Sequence, residues 1–437
     1  MAAVYSSVLN VGGILKKYYE DDMQYINGED SMPLLKEIED AGIVEVNGDG
    51  ESWTVDTEGP FGGGVGSYTE EGDLPLSFAQ NSVQASCSVK LFASTFSITE
   101  KLMHAAANNK GAFSRGLDKV MKEARIKLDR LLWFVYHSDG TGCFGKVLTA
   151  SNAASSVITL DTTITDGPTL ALYPNIGDEV EAWSDKAGAG ATKRSQIPRV
   201  TAVALNFTSF TVDANVSAGG GGSWVDATDY VFLKNSRSTV TTTEFNHPNG
   251  FLNMVDTTAV HLYDPATVTP VPTTWWKSKT IDGGGLIPTE DVIMRMMRKL
   301  SFRNNGRKPT HFMYNQVHAQ DLIKLYQGRQ TEEYKGGQVT PGHEGLAPWH
   351  IPGGKPLKLI EDDYQAPGRF DFFDVKVFRR QWLKKPSMLD KGEPLSALRV
   401  DNKAYWVGHI TGMGNIFNRM RPATGYISNV GYTATLW

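Results

Sequence analysis

One apolar stripe limits how this chain can fold more than any other feature. Phe113, Leu117, Val120, Met121, Ala124, Leu128, Leu131, Leu132 and Val135 recur at three- and four-residue steps, which places them on one side of an α-helix. The spacing predicts a helix over residues 112–137, about seven turns at 3.6 residues per turn, ending at Ser138-Asp139-Gly140. Arg115, Lys119, Lys122, Arg125, Lys127 and Arg130 alternate with Asp118, Glu123 and Asp129 between the apolar positions. The opposite face is therefore expected to be solvated and mildly basic.

The segment before this helix constrains the fold in a different way. Trp53-Thr54-Val55 is strand-like, Gly62-Gly63-Gly64-Val65-Gly66 demands a permissive turn, and residues 82–96 return as strand, with Val83, Ala85, Cys87, Val89 and Leu91 expected on one side. Ordering a backbone costs roughly 1 to 2 kcal/mol per residue. A long Gly-rich hairpin has no evident means of offsetting that within one subunit. After it, Ser97-Ile98-Thr99-Glu100 reads as a capping box that opens a short helix ending near Asn108 to Gly111.

Residues 1–51 read as an extended arm carrying one helix over 32–41, with Pro33 in its first turn. Residues 146–234 contain short strands at hairpin spacing around 157–160, 177–183, 199–212 and 229–233, with Val203, Leu205 and Phe207 on one face, and predict an inserted β-domain. Beyond Gly283-Gly284-Gly285 the period becomes helical: Ile293, Met296, Met297 and Leu300 form a buried stripe after Pro288, and Gly306 closes it. His311 to Tyr314 is a short strand, Asn315 an N-cap, and Leu322, Ile323 and Tyr326 the inner face of the next helix. Strands at 357–360 and 375–378 complete an α/β unit over 286–400, and residues 401–437 return as strands to the main domain.

Composition removes several function classes. A formal charge of −5 does not suit a protein whose whole surface grips nucleic acid. Two cysteines, Cys87 and Cys143, are too few for a disulfide framework and fit a reducing compartment. The apolar N-terminus carries Lys16 and Lys17 after its apolar run rather than before it, so export is not expected, and Asn206 and Asn215 are read as chance glycosylation matches. No window reaches the roughly 20 apolar residues of a membrane helix, so a soluble protein with no membrane partner is expected.

No catalytic set emerges. His104, His137, His247, His261, His311, His318, His343, His350 and His409 form no HExxH and no helical ligand pair, so no metal or cofactor is expected. The Gly62 to Gly66 run lacks the strand before and the helix after that a phosphate loop needs, and neither GxxxxGK[ST] nor GxSxG occurs. Glu361-Asp362-Asp363 reads as a solvated acidic turn, and a hydrolase built on Asp362 or Asp363 is a minor alternative. Trp275, Trp276, Trp349 and Trp382 are read as core or interface anchors rather than stacking platforms.

The order of arm (1–51), extended loop (52–96), spine helix (112–137) within a peripheral domain (97–145 and 235–285), inserted β-domain (146–234) and axial α/β domain (286–400) resembles the major capsid proteins of tailed double-stranded DNA bacteriophages, the α+β Hong Kong 97-like fold. The resemblance is one of architecture over most of the chain. It implies a non-enzymatic coat protein that assembles into hexamers and pentamers of an icosahedral head around double-stranded DNA without sequence specificity, built in the host bacterial cytoplasm. It implies inter-subunit contacts for Trp53, Phe61, Gly63, Tyr68, Leu74 and Phe78 of the loop and Tyr18 and Tyr19 of the arm. It also suggests an inner-face role for Arg115, Lys119, Lys122 and Arg130. Residues 53–80 contain no lysine, so a shell without lysine cross-links from the loop is expected. The arm reaches the loop within about fifty residues, which leads to the expectation of a separate scaffolding protein, beside a portal and a possible decoration protein. The alternative is a tail-associated or carbohydrate-binding β-rich virion protein using residues 146–234.

Overall fold

The structure is a computed structural model that describes residues 33–41, 43–45, 50–56, 67–70, 72–74, 82–99, 110–149, 156–161, 174–186, 191–204, 209–214, 216, 224, 228–238, 245–256, 277–301, 307–327, 357–362, 365–388, 397–399 and 405–432. Its longest element is the helix that the apolar stripe predicts. After α1 (Pro33–Ala41), α2 runs Lys110–His137 over 28 residues. Val120, Ala124, Leu128, Leu132 and Tyr136, one row of four-residue steps, face a large core. Phe134 and Val135 face a second core, with Phe134 stacked on Phe144 at 4.8 Å. Trp133 to Ser138 are buried on every side, so the solvated face expected along the whole helix ends before its last turn and a half.

The first core lies under a mixed sheet of β1 (Ile43–Glu45), β4 (Lys90–Thr99), β15 (Phe378–Met388), β16 (Ala397–Arg399) and β17 (Tyr405–Asn418). β15 and β16 share one edge of β17, and β4 takes the other over ten paired residues. Phe96 lies over Gly408, Phe92 over Gly412 and Trp382 over Gly414; a Cβ added at these glycines would come within 2.3–2.5 Å of the rings. The glycines of β17 thus make room for aromatic rings from both neighbouring strands. Helix α1 seals the same core with Leu34 and Ile38, and its Glu37 pairs with Lys358 and His311. This part of the expected arm is held on its own subunit.

β4 overturns the capping box: Ser97, Ile98 and Thr99 are its last residues, paired with Val407, Trp406 and Tyr405. A local helix start offers one or two hydrogen bonds, and a ten-residue ladder outweighs it. The short helix expected after Glu100 lies outside the described residues.

β5 (Cys143–Thr149), β6 (Val157–Leu160), β7 (Val180–Trp183), β8 (Val200–Val203), β9 (Ser209–Val212) and β10 (Tyr230–Leu233) form an antiparallel sheet in the order β7-β10-β5-β6-β9-β8. Val200 and Phe210 pack inside it, Val203 partly so, while Leu205 and Phe207 lie outside the described residues. The buried carboxylates of Glu181 and Asp229 are met by Lys193 and by a bidentate Arg194 at 2.8 Å.

A third, mixed sheet follows the order β11-β18-β14-β12-β13, from β11 (Lys279–Asp282), β12 (His311–Tyr314), β13 (Lys358–Glu361), β14 (Phe370–Phe373) and β18 (Gly425–Ser428). After α3 (Phe251–Met254), helix α4 (Glu290–Ser301) covers this sheet through Ile293, Met296, Met297 and Leu300, as the stripe predicts. The Asn315 side chain accepts from Val317 N and opens a 3-10 turn that leads into α5 (Ala319–Gln327). Leu322 is buried, Ile323 half-buried, and the side chain of Tyr326 and Gly306 lie outside the described residues. The expected strand at 375–378 is a 3-10 turn capped by Asp374, with β15 beginning at Phe378. The α/β sheet therefore takes β11 and β18 from outside 286–400 and loses β15 and β16 to the first sheet.

Candidate functional site

The hairpin of β2 (Gly50–Asp56) and β3 (Ser82–Ser88) is antiparallel, with Gly50 opposite Ser88 and Asp56 opposite Ser82. At Val89 the chain leaves this ladder and enters β4, and the buried side of the strand changes with it. Ala85 and Cys87 are buried on β3, Phe92 and Phe96 on β4, and Leu91 is 69% exposed. The single alternating run expected through Leu91 thus holds only as far as Cys87. Gly50 has φ +147°, and a Cβ there would meet the Cys87 carbonyl oxygen at 2.0 Å, so only glycine fits this close approach.

Side-chain amides fix the root of the hairpin. Gln381 Nε2 donates to the Cys87 carbonyl at 2.9 Å, and Gln381 Oε1 accepts from Glu51 N at 3.2 Å. Asn415 Nδ2 donates to the Ser88 carbonyl at 2.7 Å, while Asn415 Oδ1 accepts from Asn249 N at 2.8 Å. Trp53 stacks on Phe417 at 4.9 Å, and Glu51 pairs with Arg419. Trp53, expected at a subunit contact, is half-buried and packs on the first core of its own chain, beside the buried Ala85 and Cys87. Gln381, Asn415 and Asn249 were not singled out by sequence; lone amides within strand-forming runs carry no local signal.

Beyond the root the surroundings change. Residues 67–70 and 72–74 are all exposed, with Tyr68 at 62% and Leu74 at 69%. Phe61, Gly63, Phe78, Tyr18 and Tyr19 lie outside the described residues. Of the three expected contact residues that are described, Trp53 is at the root and Tyr68 and Leu74 are exposed farther out.

On α2, Lys122, Arg125 and Lys127 are exposed, and Arg125 makes only a long 3.8 Å pair with Asp129. Arg130 is half-buried and donates to Asn175, so it is a strut between the helix and the loop before β7 rather than a free inner-face cation. Arg115 and Lys119 are on the helix, but their side chains lie outside the described residues.

The groups that resemble catalytic residues have structural surroundings. Asp362 is not on a solvated turn: it is 2% exposed, with Oδ2 2.6 Å from His137 Nε2. Burial alone would lower the His137 pKa, but the Asp362 carboxylate and the Trp133 carbonyl overcome it and raise the value. His247 and His318 go the other way, to about 4: burial lowers both, helped at His247 by the Lys90 charge and outweighing Asp321 at His318. Burial pushes the Cys87 and Cys143 thiols up to about 12, which makes both unreactive. Trp183 and Trp224 of residues 146–234 are buried, as are Trp133 and Trp382, so none of these four rings is open for stacking; Trp275, Trp276 and Trp349 lie outside the described residues. Among the described residues no cluster of metal-ligating side chains occurs, and no helix is long and apolar enough to cross a membrane.

No protein-family model matches the chain, and no curated protein matches it. Several solved structures align with it over nearly the whole of both chains, each at a TM-score below 0.5. The capsid asymmetric unit of cyanophage A-1(L) is 9% identical at a TM-score of 0.49, covering 95% of this chain and 97% of that one. The capsid of a native GTA particle is 10% identical at a TM-score of 0.47, covering 98% and 100%. A structure from Mycobacterium phage Bobi is 8% identical at a TM-score of 0.41, covering 97% and 99%.

Proposed function

We propose that the chain is the structural subunit of a closed shell, a major capsid protein of the tailed-bacteriophage type with a Hong Kong 97-like arrangement. One observation carries this reading. The hairpin is fixed at its root by side chains from two distant strands of its own chain, Gln381 of β15 and Asn415 of β17, while residues 67–70 and 72–74 beyond the root are exposed, Tyr68 and Leu74 included. An arm held rigid at the base with apolar side chains toward its tip is suited to lie across another copy. A neighbour supplies the burial that such side chains lack, at roughly 25 cal/mol per Å² of apolar area.

In this reading the subunits form hexamers and pentamers of an icosahedral head around double-stranded DNA. The exposed Lys122, Arg125 and Lys127 face the interior, and the negative subunit limits adhesion to the genome. Assembly takes place in the host cytoplasm with a separate scaffolding protein and a portal, with or without a decoration protein, and proceeds without lysine cross-links from the loop.

Electron microscopy of the concentrated full-length protein tests this. Closed shells are expected from the wild type. A variant with residues 57–81 replaced by a short Gly-Ser turn should keep the wild-type melting midpoint yet form none. Persistent compact monomers of the wild type, or shells unaffected by the replacement, would sink the reading.

A further inference from the structure

His137 is the last residue of the spine helix, and Asp362 follows directly after β13, the edge strand of the α/β sheet. Both side chains are 1% exposed. His137 Nδ1 lies 2.9 Å from the Trp133 carbonyl oxygen, which can only accept, so Nδ1 carries a proton. Nε2 lies 2.6 Å from Asp362 Oδ2, a distance that requires one more proton between them. The pair is thus neutral overall with two protons bound, and a helix C-terminus favours the positive charge on the imidazole. Loss of the shared proton would leave a buried anion, with a lone pair facing a carboxylate oxygen and no water to solvate it.

Among the described residues, the charged group that acts on His137 is Asp362. Other charged groups on the elements that meet here have partners of their own: Asp139 is paired with Lys186 at 2.8 Å, Asp371 with Arg369 at 2.9 Å and Lys358 with Glu37, while Glu361 accepts from the Tyr314 hydroxyl at 3.5 Å. Asp362 is also held through its backbone, with N donating to the Tyr314 carbonyl at 3.0 Å and its carbonyl accepting from Gln365 N at 3.2 Å.

We infer that the His137–Asp362 pair is a proton-dependent joint fixing the end of the spine helix to the edge of the α/β sheet, closed while the shared proton is bound and loosened in alkaline solution. A group whose pKa is raised on folding contributes its full stability below the unfolded value, about 6.5, and loses it as the pH rises through the folded value. The joint belongs to the single chain and does not depend on assembly.

Nitrogen-15 NMR of histidine-labelled full-length protein tests it, with the His137 signal assigned by its loss in His137→Gln. Both ring nitrogens of His137 should remain protonated at pH 7.5, where an ordinary imidazole is protonated to about a tenth. The wild-type melting midpoint should fall at alkaline pH with a slope that Asp362→Asn removes, since an amide leaves no carboxylate to hold the extra imidazole proton. If His137 titrates at or below the ordinary value, or if wild type and Asp362→Asn share one alkaline slope, the joint is refuted. Should the variant fail to fold, the wild-type titration decides alone.

Discussion

Histidines in this chain look interchangeable along the sequence, and folding sends them in opposite directions. His137 meets a carboxylate that raises its pKa. His318 is fully buried between the rings of Phe370 and Tyr432, and its Nε2 accepts from Gly368 N at 3.1 Å, so it is held neutral with a pKa of about 4. A depressed histidine makes the folded state lose stability as the pH falls from the ordinary value near 6.5 toward 4, because the unfolded chain binds the proton first. The full loss below that window is on the order of 3 kcal/mol. Denaturant melts at pH 7 and pH 4.5 should show this, and His318→Leu should flatten the acid dependence while lowering stability at pH 7. An unchanged acid slope in that variant would place the sensitivity elsewhere. Neither fate was legible beforehand, because Asp362 and Gly368 come to these rings only through pairing of the third sheet.

At the scale of elements, what is periodic was readable and what is paired at a distance was not. The stripes of the spine helix and of α4 fixed both helices, and the composition of residues 146–234 marked the antiparallel sheet. Ser97 to Thr99 misled because β17, which captures them, lies some three hundred residues away. The root of the hairpin was hidden for the same reason, since Gln381 and Asn415 reach it from β15 and β17. Replacing both with leucine should leave β2 and β3 paired but loosen their attachment. Backbone amides of β2 and β3 should then exchange roughly ten to a hundred times faster, by the loss of about 1 to 3 kcal/mol of buried hydrogen bonding. Amides of β12 and β14 should keep their protection; a uniform change across the protein would mean general destabilisation instead.

For the whole molecule, two of the three larger sheets among the described residues interleave along the chain. The first takes strands from 43–45, 90–99, 378–388, 397–399 and 405–418, and the third from 279–282, 311–314, 358–361, 370–373 and 425–428. Each draws strands from both sides of the other's along the chain, so the expected boundaries cut across both sheets. The antiparallel sheet is contiguous, yet its core includes Phe134 and Val135 of the spine helix. An isolated fragment of residues 143–238 should therefore lack a cooperative melt, whereas a fragment of 110–256 that restores the helix should gain one. Equal melting of the two would show that the sheet needs no helix.

The rigid root of the hairpin has a kinetic consequence. A projection that swings freely must be immobilised by whatever docks on it, and the lost motion weakens and slows the encounter. In the proposed shell the direction of β2 and β3 is set when the chain folds, by Gln381, Asn415 and the stacked Trp53, before a neighbouring copy arrives.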